Sequence, residues 1–174
     1  MNRLRYNIWI VVLIGLATVA SAGTISREYL KSFDFRGDQI DIENINGEIV
    51  LETWNRDQVE VSADISVRAG DKAQAKRYLE NVEIVVRQRG NELSIRIDLP
   101  SSHGGGFMDW VFGAGKPQAS VDFWIKAPPE TDIRASSVNG SIEAVGLDGH
   151  ANLSTTNGKV VAENMRGTVD AGTT

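Results

Sequence analysis

Gly140, Gly149, Gly158 and Gly167 stand nine residues apart, and each opens the same phrase: glycine, any residue, an apolar residue, any residue, then Ala or Leu. A longer period lies over the first. Asn139-Gly140 returns as Asn157-Gly158, and Leu147-Asp148-Gly149 returns as Met165-Arg166-Gly167, so the unit is eighteen residues made of two unlike halves. Self-similarity at a fixed period points to a stacked architecture in which each unit buries its apolar side chains against the next. Each half then holds one short strand, and each glycine marks a turn where φ can be positive. One unit makes a flattened coil, with equivalent strands of successive coils paired at about 4.8 Å, Ile142 over Val160 and Leu153 facing across a thin core. Asn139 and Asn157 stack one coil apart, where their amides can hydrogen-bond along the stack. Asn-Gly is also the strongest type I′ hairpin signal. A chain of hairpins, however, gives no reason for unlike halves at a fixed phase.

Upstream, strict alternation dominates. Val59, Val61, Ala63, Ile65 and Val67 alternate with polar residues, as do Leu93, Ile95, Ile97 and Leu99, and then Ala119, Val121, Phe123, Ile125 and Ala127. Period two puts each set on one face of a half-buried strand. Ile40 with Ile42, Ile49 with Leu51, and Val82, Ile84 and Val86 mark further strands. Between Gly70 and Val82 the spacing of Ala75, Tyr78, Leu79 and Val82 is helical, and Asp71 with Gln74 resembles a capping box. The expected fold is therefore mainly β: a single-domain β-solenoid, parallel β-helix-like with 18-residue coils, carrying N-terminal β-strands and one short helix. Thr174 falls at the phase of Thr156, so an intact repeat would continue with Asn-Gly. On this reading the solenoid is truncated in mid-repeat, and its uncapped C-terminal edge is open to self-association.

The first residues address the compartment. Arg3 and Arg5 precede the uncharged run from Ile8 to Ala20, and Ala20-Ser21-Ala22 supplies the small residues that a signal peptidase reads. An uncleaved anchor is the other reading, but the strongly apolar stretch is shorter than the ~20 residues that span a bilayer. Cleavage after Ala22 makes 1–22 a signal peptide, 23–32 an N-terminal linker and 33–174 the repeat domain, with regular repeats over 131–174. The mature chain then has no stable transmembrane anchor and is periplasmic or secreted. Removing Arg3 and Arg5 from 18 basic residues leaves 16 against 23 acidic ones, a net charge of −7, which argues against a nucleic-acid partner. An exported chain with no cysteine holds no disulfide and no thiolate metal site.

Ile45-Asn46-Gly47-Glu48-Ile49, Val138-Asn139-Gly140-Ser141-Ile142 and Thr156-Asn157-Gly158-Lys159-Val160, together with Trp54-Asn55-Arg56-Asp57-Gln58-Val59, resemble a bacterial family of β-strand-repeat domains of unknown function called putative adhesins. The resemblance covers roughly residues 33 to 174 and rests on repeat texture, the N-G-x-[IV] phrase above all. It implies an extracytoplasmic β-repeat protein, with adhesion or a part in envelope stress responses as its role, and it brings no catalytic residues.

Chemistry is sparse. The histidines are His103 in a glycine-rich loop and His150 on an outward position of a repeat. Asp98, Ser101, Ser102 and His103 are neighbours in sequence, whereas a catalytic triad converges from separate elements. Glu143, Asp148, Glu163 and Asp170 are spread along outer faces and turns instead of facing each other across a cleft. The calcium-binding nonapeptide repeat shares the nine-residue spacing but requires a Gly-Gly pair and an Asp at fixed phase, which these units lack. No cofactor, metal or catalysis is expected, and a carbohydrate-active β-helix enzyme is the weakest alternative. Phe107, Met108, Trp110, Val111 and Phe112, bracketed by Gly104-Gly105-Gly106 and Gly113-Ala114-Gly115, form a bulky apolar loop. It reads either as a lid over an open core end or as a contact for a protein or cell-surface partner. The turn residues Asn46, Gly47, Asn139, Gly140, Gly149, Asn157, Gly158 and Gly167 read as structural. The function expected is a non-enzymatic extracytoplasmic scaffold or binding module, an adhesin of the envelope, with an envelope-stress regulatory partner as the alternative.

Overall fold

The structure is a computed structural model describing residues 23–35, 37–100 and 117–174. The expected signal peptide (1–22), His103, and the loop residues Phe107, Met108, Trp110, Val111 and Phe112 lie outside the described residues. The described elements, in chain order, are β1 (Thr24–Asp34), β2 (Gln39–Glu43), β3 (Ile49–Thr53), β4 (Gln58–Arg68), α1 (Lys72–Leu79), β5 (Glu83–Arg89), β6 (Glu92–Asp98), β7 (Gln118–Ala127), β8 (Asp132–Asn139), β9 (Ile142–Val145), β10 (Ala151–Asn157), β11 (Val160–Glu163) and β12 (Val169–Thr173). They make one domain of two mixed, open sheets. The first has the order β1-β4-β7-β3-β9-β11 and the second β12-β10-β8-β2-β6-β5.

Alternation decides which side chains meet between the sheets. Val59, Val61, Ala63, Ile65 and Val67 of β4 and Ala119, Val121, Phe123, Ile125 and Ala127 of β7 are all buried, and the second sheet answers with Ile40, Ile42, Leu93, Ile95, Ile133 and Leu153. The helix is capped as its sequence suggests, with the Gln74 amide donating to Asp71 Oδ1 at 2.8 Å. It packs against β1 and β4 and adds Ala75 and Leu79 to the core.

Strands of the repeat pair in parallel at an offset of one unit: Ala151 lies beside Ile133 and Val169, and Val160 beside Ile142. The Asn-Gly turns are not hairpins, because β8 and β10 lie in the second sheet and β9 and β11 in the first. The same pattern reaches much further back in the chain. β2 pairs in parallel with β8, Gln39 beside Asp132, and β3 with β9, Ile49 beside Ile142. On their other sides β2 meets β6 and β3 meets β7, again in parallel. In space, then, β6–β7, β2–β3, β8–β9, β10–β11 and β12 follow one another, an order that the chain sequence hides. The remaining pairings, β1 with β4, β4 with β7 and β5 with β6, are antiparallel. The 18-residue period expected from sequence thus matches the parallel pairings from β8 to β12. The two sheets, however, are open and mixed with an antiparallel flank, so the expected β-solenoid is replaced by a domain of two mixed sheets.

Two expectations change. Residues 23–32, read as a linker, form most of β1, which pairs with β4 along its whole length from Thr24 beside Arg68 to Asp34 beside Gln58. The alternation there is disguised, because the inward phase runs Ile25, Arg27, Tyr29, Lys31 and Phe33, with two basic residues among apolar ones. Arg27 is accommodated by donating to the Val82 carbonyl at 2.6 Å. The second change concerns the repeat glycines. Among the described residues, positive φ occurs at Gly23, Gly47, Gly90, Gly146 and Asn164, so Gly140, Gly149, Gly158 and Gly167 are not there for left-handed backbone. They are there for closeness: a Cβ on Gly140 would collide with the Gly47 carbonyl, one on Gly158 with the Gly140 carbonyl, and one on Gly167 with the Gly149 carbonyl. Successive turns touch backbone to backbone.

Candidate functional site

The turns that lead from the second sheet into the first carry an asparagine ladder. Asn157 Nδ2 donates to Asn139 Oδ1 at 2.9 Å, Asn139 Nδ2 to Asn46 Oδ1 at 2.8 Å, and Asn46 Nδ2 to the Ala119 carbonyl at 3.1 Å. The structure so brings together Asn46, Asn139 and Asn157 from three turns, with Gly47, Gly140 and Gly158 stacked beneath them. Gly149 and Gly167 occupy the opposite turn edge, where the His150 amide donates to Asp132 Oδ1 at 2.7 Å. Asn44 is a member of this framework that sequence reasoning missed. It is buried, and its amide donates to the carbonyls of Gly47 at 3.0 Å and Val121 at 2.8 Å while its oxygen accepts from the Ile45 amide. These hydrogen bonds join one turn to the next, a structural role that satisfies buried polar groups. Beside the ladder, at the ends of β1, β4 and β7, a polar hollow of ≈ 380 Å³ is lined by Thr24, Asn46, Ser66, Arg68, Gln118 and Asn139 among others.

The residues with catalytic chemistry stay apart. His150 Nε2 lies 3.5 Å from an Asp170 carboxylate oxygen on an exposed surface of the second sheet. Glu143 and Glu163 belong to the first sheet, and Asp148 faces Arg166 at 3.5 Å. Among the described residues no group of three or more His, Cys, Asp or Glu is placed to hold a metal ion. Nor, among them, is any helix long and apolar enough to cross a membrane.

The outer face of the first sheet is different in character. Leu30 and Trp124 are the exposed large apolar residues among those described, at 41% and 45% exposure. They share one row across the strands: Leu30 of β1 stands beside Ser62 of β4, Ser62 beside Trp124 of β7, and Trp124 beside Val50 of β3. Trp54 contrasts with this. Its indole nitrogen donates to the Gln58 carbonyl at 2.8 Å, and Arg56 and Lys126 sit over its ring at 4.7 and 5.8 Å. Next to the apolar row runs a row of carboxylates, Glu28 beside Asp64 and Asp64 beside Asp122. Asp122 is anchored by accepting the Glu48 amide at 2.9 Å. Asp64 has one buried oxygen with no hydrogen-bond donor among the described residues. Burial raises its pKa above the ordinary carboxylate value, and the charges of Asp122 and Glu28 raise it further. Trp124 was legible in principle, because it falls on the polar phase of β7, between Asp122 and Lys126. Leu30 was not, since the phase of β1 was hidden.

No protein-family model matches the chain, and no curated protein matches it. Among solved structures it is similar to a putative cell adhesion protein from Clostridium sporogenes ATCC 15579, at 9% identity and a TM-score of 0.42, with 86% of this chain and 100% of that one covered. It is also similar to a putative adhesin from Bacteroides fragilis NCTC 9343, at 13% identity and a TM-score of 0.33, over 84% of this chain and 76% of that one. Likeness at this level leaves the function to be argued from the chain's own residues.

Proposed function

We propose that the chain is a non-enzymatic binding module of the bacterial envelope, a stack of flattened two-stranded coils that holds one sheet face rigid for recognition. The observation that carries this reading is the row on the outer face of the first sheet where Leu30 and Trp124 are exposed on strands paired on both sides or along their whole length. Aromatic side chains that are exposed and held by a rigid scaffold are the usual anchors of binding, because little conformational entropy is lost when they are covered. The leader-like sequence of residues 1–22 supports a place outside the cytoplasm, and the Asn-Gly phrases fit the adhesin resemblance. On this reading the protein acts by contact with a partner and not by chemistry.

Hydroxyl-radical footprinting tests it. Trp124 in the purified mature chain is expected to oxidise readily, and the same residue in intact cells is expected to be protected. Equal oxidation in both settings would contradict a recognition role for this face.

A further inference from the structure

The apolar row is bordered by charge on both sides. On one side lie Glu28, Asp64 and Asp122. On the other, Glu60 stands beside Lys126 and Lys126 beside Glu52. These bordering rows hold five carboxylates against one ammonium, and Lys126 Nζ is already engaged 3.4 Å from Glu60. Like charges directly opposite on neighbouring strands repel, so the arrangement opposes the stability of the free sheet. Asp64 is the worst placed of them, flanked by Glu28 on β1 and Asp122 on β7 and with an oxygen that lacks a donor among the described residues.

This pattern selects among occupants. An anionic glycan, nucleic acid or lipid headgroup would meet repulsion from Glu28, Asp64 and Asp122 beside Trp124. A neutral sugar would stack on the indole without any need for the carboxylates. A chain with lysine or arginine beside apolar side chains would answer both features. Rows on a strand face lie about 6.6–6.8 Å apart, within reach of a lysine or arginine stem from over the apolar row. The Trp124 ring, which has no cation over it among the described residues, can also receive one.

We propose that the outer face of the first sheet binds a cationic, apolar protein segment, its apolar side chains on Leu30 and Trp124 and its cations against Glu28, Asp64 and Asp122. The proposal rests on the reading of this face as a recognition surface, and the experiment separates the two. Calorimetry on the mature chain uses three probes: a ten-residue peptide alternating Lys and Leu, its Glu-Leu counterpart, and cellohexaose as a neutral sugar. Three variants accompany it: Leu30→Ala with Trp124→Ala; Glu28→Gln with Asp64→Asn and Asp122→Asn; and, as a charge-matched control on the second sheet, Glu83→Gln with Glu92→Gln and Asp98→Asn. The Lys-Leu peptide is expected to bind, with an affinity that falls as salt rises and drops about tenfold or more in each of the first two variants but not in the control. Binding of cellohexaose that depends on Trp124 and ignores the carboxylates would overturn the cationic partner and leave the recognition face standing. Equal weakening by the control would also overturn it, as unspecific attraction. Indifference to the loss of Leu30 and Trp124 would overturn both readings.

Discussion

The strands from β8 to β12 are four to eight residues long and bury small side chains, Ala135, Ala144 and Ala151 with Ile142 and Leu153 among them. At the other end of the first sheet β1 and β4 run eleven residues and β7 ten, and β4 and β7 bury Val59, Val61, Ile65, Val67, Phe123 and Ile125. The repeat end is held by backbone contact between stacked turns and by side-chain amides in line, so a residue there is dictated by its equivalent eighteen positions away. The flanking end is held by apolar volume, and its outer face is released from that constraint. The exposed apolar residues and the row of three carboxylates both lie at the flanking end. On the proposed reading, scaffold and recognition surface occupy different parts of one sheet.

The sharpest way to break this contrast is to add one methyl group at each of two glycines. A Cβ at Gly140 collides with the carbonyl of Gly47 in the turn below, while a Cβ at Gly172, on the outermost strand of the same repeat, meets nothing within 4 Å. Gly140→Ala is expected to lower the unfolding free energy by about 3 kcal/mol, the scale of overpacking in a close contact. Gly172→Ala is expected to change it by less than about 0.5 kcal/mol, as for a surface substitution. Urea unfolding of both variants reads the difference. Equal effects would mean that the glycines serve chain flexibility and not close approach.

A smaller effect is expected from the ladder. Asn139→Ala removes the middle rung and strands Asn46 Oδ1 and Asn157 Nδ2, for a loss of about 1–2 kcal/mol, whereas Asn157→Ala removes one rung at the end and is expected to lose about half of that. Thermal unfolding of the two variants orders them; a larger loss at Asn157 would contradict a ladder built inward from Asn46.

The flanking end responds to pH with the opposite sign to an ordinary buried salt bridge. The pKa of Asp64 is raised in the folded chain, so its ionised form opposes folding at neutral pH, and the folded chain gains relative stability as pH falls through that raised value toward the ordinary carboxylate range. Asp64→Asn is therefore expected to be more stable than the parent at pH 7. The advantage shrinks as the pH is lowered toward about 4, the ordinary carboxylate range. Unfolding midpoints across that range check it, and an Asn variant that is less stable at neutral pH would show that Asp64 has a compensating partner.

How far the sequence could be read follows the same division. The eighteen-residue period carried the pairing of Ile142 with Val160, and the alternation of β4, β6 and β7 placed their buried faces. The Asn46-Gly47 turn could be recognised as a phrase, but not as the neighbour of Asn139-Gly140, because residues 54 to 131 intervene and sequence spacing says nothing across an insertion of that kind. β1 was missed because Arg27 and Lys31 occupy its inward phase. The repeat glycines were placed correctly for a reason that the backbone angles do not support; only the distance between stacked turns reveals why no side chain is tolerated. The exposed row escaped because Leu30, Ser62 and Trp124 come from three strands whose register no local pattern fixes.

The separation of scaffold from recognition surface is tested most directly by removing both exposed apolar side chains at once. Leu30→Ala with Trp124→Ala, unfolded in urea beside the parent and Gly140→Ala, is expected to stay within about 0.5 kcal/mol of the parent while Gly140→Ala falls well below it. If the double variant unfolds as readily as Gly140→Ala, Leu30 and Trp124 are packing residues, and the outer face of the first sheet is part of the scaffold after all.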